Sequence, residues 1–283
     1  MNEQLHYNIK AHDKISQKYE KEHIEIYNDT EQARLKACIE ESFEEIETGS
    51  KEITALDFGC GAGNLTQHLL RVGMHVTAAD VSKKFLELVR YKYAKQFFDK
   101  LSFLPLNGKD LSNVKNDTFD FIATYSVLHH IPDYLSLVKE LTRVLKPGGI
   151  LFIDHESSPN IWEQSDDYKK YKALLDLEIL KKTKFERVRH LFLLSYWIDA
   201  FKALINPKFR SEGDIHVFQD DHIEWDKLTE TLDKNSMKIL LERDYLLFIK
   251  HCPKTLYDEY KQRCDDTRLL VAKKEKHSEI HSK

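Results

Sequence analysis

The stretch ITALDFGCGAGNL, residues 53–65, decides the fold. It begins with a short apolar run of strand length and breaks into a turn in which every second residue is glycine. A pattern with leucines on one helical face follows at once. A strand, a glycine turn and a helix in succession bring backbone N–H groups and a helix N-terminus against a ligand. The stretch therefore predicts a ligand-binding turn.

The spacing of the glycines separates two kinds of cofactor site. A dinucleotide fingerprint, G-x-G-x-x-G, would need glycine where Asn64 stands. The stretch instead reads D-x-G-x-G-x-G, with Asp57 as the acid that ends the first strand. This form resembles motif I of the class I S-adenosylmethionine (SAM) dependent methyltransferases, and the resemblance covers residues 53–156. The L-K-P-G-G sequence at 145–149, before an apolar strand, is also typical of that family.

The resemblance implies SAM as the cofactor and S-adenosyl-L-homocysteine as the product, in a methyltransferase type 11/12-like protein with a small-molecule acceptor. The fold it implies is α/β and Rossmann-like, with a seven-stranded, mostly parallel sheet and helical N-terminal and inserted lid segments. Alternating strands and helices indicate a parallel α/β sheet independently of any family. The residues assigned to cofactor binding are Asp57, Gly59, Cys60, Gly61, Gly63, Asp80, Val81, Asn107, Asp110, Tyr125 and Ser126.

Three of these assignments have a chemical reason of their own. Asp80 ends the second strand about twenty residues past the glycine turn, where an acid accepts hydrogen bonds from a ribose diol. Val81 follows it, where an apolar side chain can pack on the adenine face. In the resembling family an acid in the loop after the third strand binds the adenine amino group, and Asp110 is our choice. The turn residues around Asp110 also fit a pure loop role.

Histidines and acids follow two of the predicted strands and supply the acid–base candidates. We assign His129 and His155 as catalytic residues, since each follows a strand at the edge where ligands bind. Two adjacent histidines point in different directions, so at most one of His129 and His130 faces the site. The substrate candidates are Tyr19, His130, His216 and His222. The alternative for each histidine is an ordinary packed or loop-capping role.

The flanks divide the chain into five predicted parts. These are an N-terminal helical cap at 1–50, a SAM-binding core at 51–156, a helical lid at 157–212, a C-terminal part of the core at 213–274, and a flexible tail at 275–283. The cap holds the candidate lid residues Tyr7, His12, Tyr19 and Tyr27. The lid carries a basic cluster that fits either an anionic substrate or a solvated face: Lys181, Lys182, Lys184, Arg187 and Arg189.

A polar segment at 213–232 invites a metal interpretation that its spacing does not support. It contains His216, Asp220, Asp221, His222 and Glu224, but no zinc-type ligand spacing. We therefore expect no metal site and predict a helix start with Asp220 or Asp221 as the N-cap. Two strands, 238–250 and 267–274, are expected to end the sheet as a long hairpin around an excursion at 252–266.

Composition limits the partners. The chain has 283 residues, 43 Lys plus Arg and 47 Asp plus Glu, and this balance gives no nucleic-acid footprint. Its four cysteines are far apart, which favours a reducing, cytoplasmic location over a disulfide framework. We expect no signal peptide and no membrane span, and the composition leaves the oligomeric state open.

The function expected from these patterns is methyl transfer from SAM to an oxygen or nitrogen of a small polar acceptor by in-line displacement. A metabolite, a sugar or a lipid-linked intermediate would fit. The nucleic-acid base N-methyltransferase motif, an N/D-P-P-Y type sequence, is replaced by TYSVLHH at 124–130. The alternatives are a SAM-binding regulatory protein without transferase activity and an NAD-dependent oxidoreductase.

Overall fold

The fold is built on a seven-stranded sheet in a computed structural model that describes residues 23–190 and 214–276. The strand order is β3-β2-β1-β4-β5-β9-β8. Neighbouring strands from β3 to β5 run parallel, and β9 is antiparallel to both β5 and β8. The strands are β1 (Thr54–Phe58), β2 (His75–Asp80), β3 (Leu101–Pro105), β4 (Phe119–Tyr125), β5 (Leu145–Ser157), β8 (Met237–Tyr245) and β9 (Thr267–Lys274). The predicted α/β, mostly parallel seven-stranded fold is confirmed.

The helices that pack around this sheet follow the order of the chain. They are α1 (Ile24–Tyr27), α2 (Asp29–Glu44), α3 (Asn64–Arg71), α4 (Lys83–Tyr93), α5 (Tyr134–Val144), α6 (Asn160–Glu163), α7 (Asp166–His190), α8 (Trp225–Lys234) and α9 (Lys254–Tyr260). A two-stranded hairpin, β6 (Val217–Phe218) and β7 (Asp221–His222), precedes α8. No helix in the two described segments has the length and apolar character needed to cross a membrane.

Buried side chains on the two faces of the sheet form two apolar cores. Alternation along a strand places Leu56 and Ile122 in one core and Ala55 and Phe121 in the other. Helices α5 and α8 cover the first face, and α2 and α3 cover the second. Every residue of β4 is buried, as expected for a central strand with helices on both sides.

Several predicted boundaries are wrong. The N-cap of α8 is Glu224, because Asp221 lies in the hairpin and its carboxylate pairs with His216. Strand β5 begins at Leu145, so the L-K-P-G-G sequence lies inside the strand instead of before it. Strand β8 ends at Tyr245 and not near residue 250, and beyond it the Leu247 N–H donates to the half-buried Asp266 carboxylate instead of to a neighbouring strand.

The first helix of the expected lid packs on the C-terminal part of the chain. Buried side chains of α7, Tyr168, Tyr171 and Leu175, form a third apolar cluster with residues around α9 such as Tyr260 and Cys264. Residues 191–212 of the expected lid, residues 277–283 of the expected tail, and the candidate residues Tyr7, His12 and Tyr19 lie outside the described residues.

Candidate functional site

A cavity of about 460 Å³ opens at the carboxyl ends of β1, β2 and β4. This is the edge of an open parallel sheet at which ligands bind. The cavity wall includes eight of the residues assigned from the sequence, namely Gly59, Gly61, Asp80, Val81, Asp110, Tyr125, Ser126 and His130. Apolar side chains such as Phe58, Phe85 and Leu106 form another part of the wall. The cavity therefore combines a few polar groups with an apolar surface, as small-molecule sites do.

The three glycines of the turn differ in how much space surrounds the position where a Cβ would lie. A Cβ at Gly59 would lie 2.6 Å from Val127 Cγ2, and one at Gly63 would lie 2.7 Å from Tyr93 Cε2. A Cβ at Gly61 would meet no atom within 4 Å. All three have positive φ, which side chains with a Cβ rarely adopt. Gly63 is thus required by packing against α4, whereas Gly61 leaves open space beside the cavity.

We expect Gly63→Ala to destabilise the protein by about 2–4 kcal/mol, from overpacking against Tyr93 added to the strain of a positive φ. Gly73→Ala is the matched control, because Gly73 has φ +97° and no atom within 4 Å of an added Cβ. Chemical denaturation of both variants measures the difference. Equal free energies of unfolding for the two variants would show that contact with Tyr93 is unimportant.

Asp80 fixes the glycine turn from the neighbouring strand. Its carboxylate accepts from the Gly61 N–H at 2.9 Å and from the Ser82 N–H at 2.7 Å. The residue is buried but lines the cavity. A carboxylate oxygen can accept more than one hydrogen bond. Asp80 can therefore hold the turn and still accept from a ligand.

Asp57, before the turn, and Cys60, within it, are not among the residues of the cavity wall. The Thr66 hydroxyl donates to the Asp57 carboxylate, which ties β1 to α3. Burial raises the pKa of Asp57 to about 7. Cys60 packs with Ala78, Leu86 and Val89, and burial raises the pKa of its thiol. These contacts indicate that Asp57 and Cys60 stabilise the turn and do not touch the ligand directly.

Asn107 and Asp110 share one exposed loop. The Asn107 amide oxygen accepts from the N–H groups of Lys109 and Asp110, and its amide nitrogen donates to Asp110. Hydrogen bonds from Ser112 and Asn107 lower the pKa of Asp110 to about 2. Asp110 lines the cavity, whereas Asn107 is not among the lining residues. Asp110 therefore forms hydrogen bonds within its loop and also lines the cavity.

A buried charged network below Tyr125 was not predicted from the sequence. The Tyr125 hydroxyl donates to Glu31 at 2.9 Å, and Arg34 pairs with Glu31 and, at 2.7 Å, with Asp154. The Asp154 carboxylate also accepts from the Tyr245 hydroxyl at 3.0 Å. Helix α2 is thereby tied to the strands that form the cavity. The sequence indicates this network only through a Glu and an Arg that lie three residues apart on a helix with an apolar face.

Glu156 organises the loop that carries the adjacent histidines. Its side chain has no exposed surface and accepts from the N–H groups of Val127 and Leu128 at 2.9 and 2.7 Å. His129 Nδ1 lies 2.8 Å from its other oxygen. His129 lies near the cavity but is not among its lining residues, whereas His130 lines it. The carboxylate thus fixes the orientation of the His129 ring.

The other assigned histidines lie away from the described cavity wall. His155 has φ +63°, stacks on Tyr125 at 4.5 Å between ring centroids, and has its pKa lowered by burial. His216 bridges the Asp221 carboxylate and the Ile131 carbonyl, and His222 lies 5.0 Å from the Trp162 ring. Tyr19 lies outside the described residues.

A family model described as a methyltransferase domain matches residues 56–153, the segment that forms β1 to β5 and most of the cavity wall. Residues 56–153 form a methyltransferase domain. This methyltransferase core includes both the glycine turn and Asp80. The sequence resemblance to the family is therefore confirmed.

The curated relatives match about a third of the chain. A ubiquinone biosynthesis O-methyltransferase of Caulobacter vibrioides is 34% identical over 101 residues, or 36% of this chain and 40% of the relative. A protein of the same name from Vibrio cholerae is 33% identical over 97 residues, or 34% of this chain and 39% of the relative. The chain spans about two fifths of the length of these relatives.

Solved structures share the fold over more of the chain. A chain from the complex between the Haloferax volcanii Trm112 methyltransferase activator and a methyltransferase has a TM-score of 0.55 at 15% identity, covering 95% of this chain and 98% of that chain. A SAM-dependent methyltransferase from Listeria monocytogenes has a TM-score of 0.52 at 14% identity, covering 86% and 100%. At these identities the likeness concerns the fold.

Proposed function

We propose that the protein is a SAM-dependent methyltransferase that methylates an oxygen or nitrogen of a small polar acceptor. The observation that carries this proposal is the pairing of Gly61 with Asp80 at the wall of the cavity, inside the matched methyltransferase core. SAM supplies the reactive methyl group when it is bound. The acceptor atom bonds to the methyl carbon as the carbon–sulfur bond breaks, S-adenosyl-L-homocysteine leaves, and the acceptor proton passes to a base or to water.

Different residues of the cavity wall are proposed to bind different parts of SAM. Asp80 offers acceptor capacity to the ribose hydroxyls, and Val81 offers an apolar surface to the adenine. The cavity position of Asp110 supports a role as acceptor for the adenine amino group, and the positions of Tyr125 and Ser126 support contact with the methionine portion of SAM. The positions of Asp57, Cys60, Gly63 and Asn107 support a role in shaping the turn and the loop.

An oxygen acceptor is favoured by the two relatives named as O-methyltransferases. His129 is the better placed of the two catalytic candidates, because the buried Glu156 carboxylate orients its ring beside His130. His155 does not line the cavity but stacks on Tyr125, which does. Holding acceptor and cofactor in line contributes about 7–11 kcal/mol in favourable cases, so catalysis does not depend on a strong base.

The described flanks support a cap and a lid around the core. Helix α2 is bonded to the cavity strands through Arg34, which fits an N-terminal cap. Helix α7 packs on the region around α9, and we infer that it begins the lid. We also infer a cytoplasmic location, supported by four cysteines that are all free and buried.

Calorimetric titration with SAM, S-adenosyl-L-homocysteine and NAD tests the cofactor. We expect saturable binding of the first two and none of NAD. Binding of NAD alone would establish the oxidoreductase alternative. Transfer of a labelled methyl group to pooled small hydroxylated and amino compounds then tests the activity. SAM binding without transfer to any acceptor, including protein and RNA, would favour a regulatory SAM-binding protein.

A further inference from the structure

Three side chains that could bind a metal ion meet at the edge of the cavity. His130 Nδ1 lies 3.3 Å from Asp214 Oδ1, and His129 Nε2 lies 3.9 Å from the same oxygen. The three donor atoms all lie within 4.8 Å of one another. Two ligands bonded at about 2.1 Å to one ion lie about 3.0–3.4 Å apart, so small side-chain movements bring these donors to coordination distance.

The surroundings fix the His129 ring and the backbone next to Asp214. The buried Glu156 carboxylate binds His129 Nδ1, which leaves Nε2 directed toward Asp214. A carboxylate on the far nitrogen of a metal-binding histidine is the usual outer partner of such a ligand. The His129 carbonyl accepts from the N–H groups of Ile215 and His216, at 3.0 and 3.1 Å. These bonds pin the segment that carries Asp214 against the histidine loop.

We propose that His129, His130 and Asp214 form a binding site for a divalent transition-metal ion. Two imidazoles and one carboxylate suit Zn²⁺, Fe²⁺, Mn²⁺ or Co²⁺, whereas Mg²⁺ and Ca²⁺ prefer sites made of oxygen atoms. Three protein ligands leave coordination positions open for water or a substrate atom. The sequence expectation of no metal site considered only residues 213–232, and so did not join Asp214 with histidines more than eighty residues earlier.

If the proposed methyltransferase function holds, a metal ion at this edge of the cavity takes part in the reaction. His130 lines the cavity and is one of the substrate candidates, so an ion bound through it borders the proposed cofactor site. An open coordination position there binds an acceptor oxygen and lowers the pKa of its proton. In the metal-bound protein His129 Nε2 is a ligand, and His129 is not the general base.

The test titrates Zn²⁺ into the chelator-treated full chain in competition with a metal indicator. We expect about one equivalent bound per chain, with affinity reduced at least about tenfold in His130→Ala, Asp214→Asn and Glu156→Gln. His75→Ala is the matched control, because His75 also faces a carboxylate, Glu52 at 3.7 Å, but lies at the start of β2. Bound Co²⁺ should give a visible absorption spectrum that Asp214→Asn changes.

Circular dichroism and thermal melting without metal check that each variant is folded. Zn²⁺ should raise the melting temperature of the wild type and of His75→Ala but not of folded His130→Ala. No saturable Zn²⁺ binding, or equal affinity in the wild type, His130→Ala and Asp214→Asn, would overturn the proposal. SAM binding measured in the presence of a chelator tests the proposed function separately. Failure of the metal proposal can therefore be told apart from failure of the proposed SAM-dependent function.

Discussion

Replacing Asp80 with alanine is expected to weaken SAM binding by at least about 100-fold. Hydrogen bonds to a charged group contribute about 1.5–3 kcal/mol each, and two bonds from the ribose diol correspond to at least about 3 kcal/mol. The substitution also removes the acceptor for the Gly61 and Ser82 N–H groups, which loosens the turn that faces the ligand. Calorimetric titration of SAM into the wild type and the variant measures the loss.

Asp99→Ala is the control for this experiment, since Asp99 is exposed and is not among the residues of the cavity wall. Its affinity for SAM should equal that of the wild type. Asp80→Asn adds a second comparison, because it keeps an acceptor oxygen and removes the charge. An Asp80→Ala variant that is folded and binds SAM as tightly as the wild type would contradict the ribose assignment.

Replacing Arg34 with alanine is expected to destabilise the fold by about 3–5 kcal/mol. Arg34 pairs with Glu31 and Asp154, whose side chains are 3% and 0% exposed. Removing one partner of a buried ion pair leaves the other charges without compensation, and this accounts for the size of the effect. The guanidinium also lies 3.9 Å from the centre of the Tyr245 ring, and that contact is lost too. Urea denaturation gives the free energy of unfolding.

Arg263→Ala provides the matched surface comparison. Arg263 pairs with Asp167 at 2.7 Å, but the two side chains are 42% and 32% exposed. An exposed ion pair contributes about 0–1 kcal/mol, so this variant should be nearly as stable as the wild type. Similar losses of unfolding free energy in the two arginine variants would mean that burial does not increase the contribution of the Arg34 ion pairs to stability.

The core could be predicted from the sequence because its signals are local. Residues 53–80 contain a strand, a glycine turn, a helix and a second strand in succession, and each is recognisable from a few adjacent residues. The acid at Asp80 follows the turn at a distance fixed by the length of one helix. These elements supply the part of the cavity wall formed by Phe58, Gly59, Gly61 and Asp80.

The rest depends on contacts between residues far apart in the chain. Nothing in the neighbourhood of Glu31 shows that it meets Tyr125, and nothing near Asp214 shows that it meets His130. Residues in exposed-looking polar segments were also assigned to the wrong local structure. Asp221 has the composition of an N-cap, but a hairpin contact with His216 uses its carboxylate, and α8 begins later at Trp225.

The order of the sheet has a consequence for biosynthesis. Strand β8 joins the sheet only through β9, which is made later and lies between β5 and β8. A ribosome that has just exposed residues 237–245 therefore presents a strand whose sheet partner has not yet been translated, next to an open edge of β5. Both remain available to chaperones, or to strands of neighbouring nascent chains, until residues 267–274 emerge. The β5, β9 and β8 part of the sheet is therefore completed only when residues 267–274 are available.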